Sequence, residues 1–245
     1  MILDIDAGNT FVKWRVMDGA NIVARGSEPT ATVMTGKLSL GPFATLSKAR
    51  LSSVANKAVA QSLQKQLHDE FNVELEIARV SPSVAGVSCG YEQPDTLGID
   101  RWLAVIAAYH HYAGAVLVVD AGSAITIDLV GPQGEHLGGY ILPGLVLMRA
   151  ALWQGTDKVQ VEAEESINML VPGTSTENAV NRGCLLAAVA TIEKLASQYP
   201  ASVVMTGGDA VVLADALSLQ SEHRADLVLE GLAIEGVEFA QSLIQ

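Results

Sequence analysis

The sequence predicts an α/β protein made of two similar halves, and three observations carry that prediction. The tripeptide Asp6-Ala7-Gly8 recurs as Asp120-Ala121-Gly122. Each copy is preceded by a strand-like apolar run and followed by further strand-like runs. Stretches of helical period lie after each group of strands, which is the pattern of two α/β halves rather than of a short-period solenoid.

Taken in order, Ile2 to Asp6, Phe11 to Met17 and Asn21 to Arg25 read as three strands, with Asp18-Gly19 as the second turn, and so as an antiparallel meander. Met34 to Leu46 has no clear period and reads as loop. Lys57 to Phe71 has helical spacing, Leu75 to Val80 reads as a strand, and Ile99 to Tyr112 as a helix. The plan then restarts. Val116 to Val119 leads into the repeated tripeptide, Ala124 to Val130 follows, and Pro132-Gln133-Gly134 turns the chain into a third strand. Glu177 to Gln198 is a long helix, with Val180, Cys184, Ala187 or Ala188, and Ile192 on one face. Ser202 to Met205 is a buried strand entering Gly207-Gly208-Asp209 and another helix, and Leu232 to Ile244 is expected to close the chain as an amphipathic helix. The boundary is expected near Gly114, giving domains 1–114 and 115–245.

Composition narrows the partners. With 15 basic and 27 acidic residues the formal charge is −12, so the footprint of a general nucleic-acid binder is missing. Hydrophobic residues make up 49% and charged ones 17%, a balance that implies apolar surface buried between subunits. Met1 to Asp4 has no basic stretch leading into an apolar one, and Arg149 interrupts the apolar run from Gly144 to Trp153, so neither a signal peptide nor a membrane span is expected. Cys89 and Cys184 form no metal spacing, which fits a reducing cytoplasm.

Glycine and aspartate weaken strands, so the two acid–glycine turns call for another reason. Glycine lets the backbone approach a ligand closely, and neighbouring amides can face an anion. An aspartate there can hold magnesium, directly or through water, while Asn9, Thr10 and Lys13 offer donors to phosphate oxygens. One such turn is as readily a structural hairpin. Two, at equivalent places in a duplicated chain, point to one nucleoside triphosphate in a cleft between the halves.

Five motifs, in order along nearly the whole chain, carry a family resemblance. They are Asp6-x-Gly8-Asn9-Thr10-x-x-Lys13, Gly98-Ile99-Asp100-Arg101-Trp102, Asp120-x-Gly122-Ser123-Ala124-x-Thr126, Gly138-Gly139-Tyr140-x-x-Pro143-Gly144, and Thr176-x-x-Ala179-Val180-x-x-Gly183. Together they resemble type III pantothenate kinase. The resemblance implies two ribonuclease-H-like, actin-like ATPase domains around a nucleotide cleft. It also implies transfer of the ATP γ-phosphoryl group to pantothenate, the first committed step towards coenzyme A.

By the same resemblance Asp6, Ala7, Gly8, Asn9, Thr10, Phe11, Val12 and Lys13 cradle the ATP phosphates, with Asp6 near Mg2+. Asp120 belongs to the second phosphate turn and binds a monovalent cation, K+ or NH4+; Ser123 touches phosphate, in place of the family's usual threonine. Asp100 matches the general base. Gly98, Ile99 and Arg101 line the substrate, the Arg101 guanidinium meets the pantothenate carboxylate, and Tyr91 is a further contact. Thr176 would reach pantothenate from the partner subunit of a homodimer, and Gly207-Gly208-Asp209 resembles the superfamily's adenosine-side turn.

Each assignment has a plainer alternative. Asp100 in a first helical turn suits the helix dipole with no catalytic duty. Thr174 and Glu177 read as a capping box. His110 and His111 fit a helix face, and Cys184 fits the core. Two other functions stay open at this point: a superfamily kinase acting on a sugar or small acid, and a non-catalytic accessory transcription regulator. Asp6, Asp100, Arg101 and Asp120 favour a working site.

Overall fold

The amino-terminal meander forms as expected in the computed structural model, which describes residues 1–41, 45–155 and 170–240. Strands β1 (Ile2–Ala7), β2 (Phe11–Asp18) and β3 (Asn21–Pro29) are antiparallel neighbours, turned at Gly19 with φ +58°. Helix α1 (Thr30–Thr35) follows at once, so the first residues of the expected loop, Met34 and Thr35, are helical. Strand β4 (Lys48–Ser53), which the hydrophobic pattern did not announce, lies parallel to β1. Helix α2 (Lys57–Phe71) starts where the Asn56 side chain accepts from the Ala58 amide, and stops at Asn72 in the left-handed conformation, φ 52°. Strand β5 (Leu75–Arg79) pairs parallel with β4.

The short hairpin β6 (Ser83–Val84) and β7 (Val87–Ser88), a 3-10 turn over Pro94–Thr96, and helix α3 (Ile99–Tyr112) come next. One face of the main sheet is apolar. Leu3, Ile5 and Ala7 join Val12, Trp14, Val16, Ala49 and Leu51, and these pack with Val59, Leu63 and Leu67 of α2. Strand periodicity therefore sends Asp4, Asp6, Lys13, Arg15, Arg50 and Ser52 to the opposite face.

The second unit repeats the plan. Strands β8 (Val116–Ala121), β9 (Ala124–Val130) and β10 (His136–Pro143) form the meander, followed by helices α4 (Leu145–Gly155) and α5 (Thr176–Gln198). Strand β11 (Ser202–Thr206) is parallel to β8; helix α6 (Ala210–Ala216) and the parallel edge strand β12 (Ser221–His223) complete it. The order β10-β9-β8-β11-β12 matches β3-β2-β1-β4-β5 strand for strand. This is the topology of duplicated ribonuclease-H-like domains. On α5, Cys184, Ala188 and Ile192 are buried in the core and Val180 packs against it, as the spacing predicts.

Three expectations are corrected. The helix over Leu232 to Ile244 is not formed in its described part. Helix α7 (Leu227–Leu232) ends at Leu232, Gly236 turns at φ +92°, and β13 (Glu238–Ala240) pairs antiparallel with β5; 241–244 lie outside the described residues. The open edge of β5 paired with Glu238 to Ala240, a stretch that periodicity alone assigns to helix. The units also divide differently from 1–114 and 115–245. One is Met1–Ala107 with the segment from Asp226 onward, the other Ala108–Ala225. The returning segment belongs to the first because α7 packs on β1 and β4, and Gly231 lies so close to Leu103 that a Cβ would stand 2.3 Å from its carbonyl oxygen. Finally, α5 is capped by Ser175, whose hydroxyl accepts from the Asn178 amide at 3.1 Å, and not by a Thr174–Glu177 box.

Candidate active site

Asp6 is the last outward-facing residue of β1 before the first turn. It stands in register with Lys13 on β2 and with Ser52 on β4, whose hydroxyl donates to Asp6 Oδ1 at 2.9 Å. The turn itself is closed internally, with the Gly8 amide donating to Phe11 O at 3.0 Å. Thr30 braces it from behind: its hydroxyl donates to Gly8 O at 2.7 Å and its amide to Thr10 O at 2.9 Å. Asn9, Thr10 and Phe11 are exposed, whereas Ala7 and Val12 are core residues that shape the turn through backbone and packing. The Gly8 amide is thus engaged within the turn, which leaves the side chains of Asn9, Thr10 and Lys13 as the stretch's side-chain donors.

The second turn is built alike but one residue shorter. Ala7 pairs with Val12 across the first turn and Ala121 with Ile125 across the second, and the Gly122 amide donates to Ala124 O at 3.0 Å. Gly144, at the head of α4, backs onto it. Its amide donates to Ser123 O at 3.0 Å, and a Cβ there would stand 2.2 Å from Gly122 O. Gly207, at φ +96°, brings the turn after β11 against Asp120: a Cβ would meet Asp120 Oδ1 at 2.6 Å and Ala121 O at 2.4 Å. The Asp209 amide donates to Ala121 O at 2.9 Å. Burial pushes the Asp209 carboxyl up, against the pull of the Arg149 guanidinium. Gly207 and Asp209, which the sequence placed in a motif of their own, therefore lie beside Asp120.

Asp100 and Arg101 open α3. Asp100 Oδ1 accepts from the Arg101 amide at 2.8 Å, satisfying one of the helix's unpaired amino-terminal donors. A Cβ on Gly98 would stand 2.6 Å from that same oxygen, so a larger residue there would displace the carboxylate. Arg101 is 7% exposed, its Nη1 donates to the Tyr91 hydroxyl at 2.9 Å, and its guanidinium carbon lies 5.7 Å from the Tyr91 ring centroid. The structure thus brings Tyr91, Gly98, Asp100 and Arg101 together, with Ile99 buried beneath them.

Thr176 is exposed at the first position of α5, directly after the Ser175 cap. Cys184 is buried, which pushes its thiol up. His110 and His111 are exposed near the end of α3, and among the described residues no group of three His, Cys, Asp or Glu is placed to hold a metal. A buried His136–Asp128 pair, 2.9 Å apart on β10 and β9, drew no attention in the sequence, nor did Ser52 or Thr30. No described helix is long and apolar enough to cross a membrane.

Two sheets that share a five-strand order, each with an acid–glycine turn closing a central strand, define the duplicated ribonuclease-H-like, actin-like ATPase fold. A family model described as type III pantothenate kinase matches residues 2–198. A type III pantothenate kinase of Pseudomonas fluorescens is 40% identical over 245 residues, covering 96% of this chain and 98% of that one. The chain belongs to the type III pantothenate kinase family. Among solved structures, a protein described as a Baf family transcriptional activator from Campylobacter jejuni aligns with a TM-score of 0.60 at 24% identity, covering 94% of this chain and 95% of that one. A protein of Sinorhizobium meliloti described as a 2-dehydro-3-deoxygalactonokinase aligns at 0.60 and 14% identity, covering 95% and 97%. Both likenesses are of fold.

Proposed function

We propose that this chain transfers the γ-phosphoryl group of ATP to the hydroxyl of pantothenate, giving 4'-phosphopantothenate in the first step of coenzyme A biosynthesis. The observation that carries the reading is the first turn of α3, where a carboxylate and a buried guanidinium stand side by side at Asp100 and Arg101. Arg101, held by Tyr91, takes the pantothenate carboxylate. Asp100 accepts the proton of the attacking hydroxyl as the new O–P bond forms and the bond to the ADP oxygen breaks. Phosphoryl transfer asks chiefly for alignment and charge neutralisation, so a late proton acceptor suffices.

The donor set at Asp6 fits magnesium with a nucleotide. Mg2+ takes hard oxygen ligands, commonly one or two carboxylates with substrate phosphates and water, and Asp6 presents a carboxylate on the face shared with Lys13. When bound, the ion neutralises charge on the phosphates. Asn9, Thr10 and Lys13 donate to phosphate oxygens at the first turn and Ser123 at the second. Asp120 holds a potassium or ammonium ion. That last role is checked by assaying Asp120→Ala, which is expected to lose any preference for potassium over sodium; a preference kept in the variant contradicts it.

The working unit is a homodimer in the cytoplasm, with Thr176 reaching the partner's pantothenate. Tyr140, Ile141, Val146, Leu147, Trp153 and Leu186 are large apolar side chains exposed on β10, α4 and α5, the kind of surface that a second copy would cover. The function is tested by coupled ADP release with ATP, Mg2+, K+ and pantothenate. Pantothenate-dependent release is expected, and a baseline response with pantothenate, or a response to a sugar instead, contradicts it.

A further inference from the structure

The polar face of the first sheet is arranged in two rungs. The inner rung is Arg15, Asp4 and Arg50, in register on β2, β1 and β4. Arg15 Nε lies 3.2 Å from Asp4 Oδ2, Arg50 Nη2 lies 2.6 Å from Asp4 Oδ1, and Arg15 Nη2 donates to Leu229 O of α7 at 2.8 Å. Burial pushes the Asp4 carboxyl up while both guanidiniums pull it down. That rung fastens α7 to the sheet. The outer rung, one step nearer the turn, is Lys13, Asp6 and Ser52.

Ser52 is fully buried in a central strand, where serine adds no apolar packing and an unbonded hydroxyl is costly. Its hydroxyl is donated to Asp6 Oδ1. Rotation of an aspartate carboxylate about its last torsion is only loosely held by sterics. A hydroxyl that donates to one carboxylate oxygen, here at 2.9 Å, restrains that rotation. The register place is not unique to this half: in the second unit Thr206, another hydroxyl residue, pairs with Asp120 on the parallel neighbour strand, and its hydroxyl donates to Ala225 O at 3.5 Å.

We propose that Ser52 is a positioning residue that fixes the rotation of the Asp6 carboxylate and thereby how Asp6 meets the magnesium of bound nucleotide. The inference rests on the reading of Asp6 given above. Partners that orient a metal ligand are typically worth about 10–100-fold in metal affinity, and Ser52 is placed to act in that way.

The test is calorimetric titration of the whole chain with a non-hydrolysable ATP analogue, in Mg2+ and again in EDTA. Ser52→Ala is expected to bind about tenfold more weakly in Mg2+ and unchanged in EDTA. In turnover its half-saturating Mg2+ rises by a similar factor while KM for pantothenate stays put. Ser52→Thr, which keeps the hydroxyl and copies the residue of the second unit, restores the Mg2+-linked affinity. Equal weakening with and without Mg2+, or none, overturns the inference. Asp6→Asn separates the two layers. If it keeps the Mg2+-linked affinity, the reading of Asp6 falls and the inference with it; if it loses that affinity while Ser52→Ala keeps it, the inference alone falls.

Discussion

Under the proposed function Asp100 would carry two duties in one side chain. Its Oδ1 accepts from the Arg101 amide at the start of α3, and the same carboxylate would take the proton of the attacking hydroxyl. Asparagine preserves an oxygen for the amide but is no base. Asp100→Asn is therefore expected to fold and bind ATP normally while kcat falls about 10²–10⁴-fold, the range of general acid–base assistance. Single-turnover measurement with titrated ATP checks it, and near-normal turnover refutes the base assignment. At this scale the acids of the turns and of α3 were legible, because each sits in a short local motif. Ser52 and Arg50 were not. They meet Asp6 and Asp4 from 46 positions away, through a parallel register that packing sets. Ser175 takes the cap in place of Thr174 for a smaller reason: the helix begins at Thr176, one residue later than a Thr174 cap requires.

Elements were legible where one face was apolar and the other wet. Helix α2 satisfies that rule. Strand β4 breaks it, since its outward residues Arg50 and Ser52 are held by acids of β1 and make the stretch look polar. Edge strand β13 breaks it in another way, being only three residues, Glu238 to Ala240, paired on an edge of the sheet. A further tie between elements carries a pH signature. Tyr112, near the end of α3, donates to Glu222 on β12, and burial followed by that hydrogen bond pushes its phenol up to about 12. An unfolded tyrosine ionises near pH ~10, so between that value and the folded one the unfolded state binds fewer protons. Stability thus falls as pH rises through that window. Spectrophotometric titration of the phenols is expected to show a component near pH 12 that Tyr112→Phe removes; an unchanged titration curve contradicts the tie.

The whole molecule repeats one sheet plan twice, and the repeated Asp-Ala-Gly announced this before any strand was paired. What the sequence did not announce was that the chain returns to its first unit after Ala225, because the ties of α7 to Leu103 and to Arg15 join residues far apart along the chain. The apolar residues on β10, α4 and α5 set the prediction at this scale. Sedimentation at micromolar concentration is expected to find a dimer, and Ile141→Asp, which places a charge at a site 65% exposed in the single chain, is expected to give monomer. A parent chain that sediments only as monomer contradicts the dimer. The central claim, that the Asp100–Arg101 turn receives pantothenate as phosphoryl acceptor, is tested most directly by ADP release in the presence of ATP, Mg2+ and K+. Release that requires pantothenate and vanishes in Asp100→Asn is the predicted result; release independent of pantothenate, or surviving intact in that variant, contradicts it.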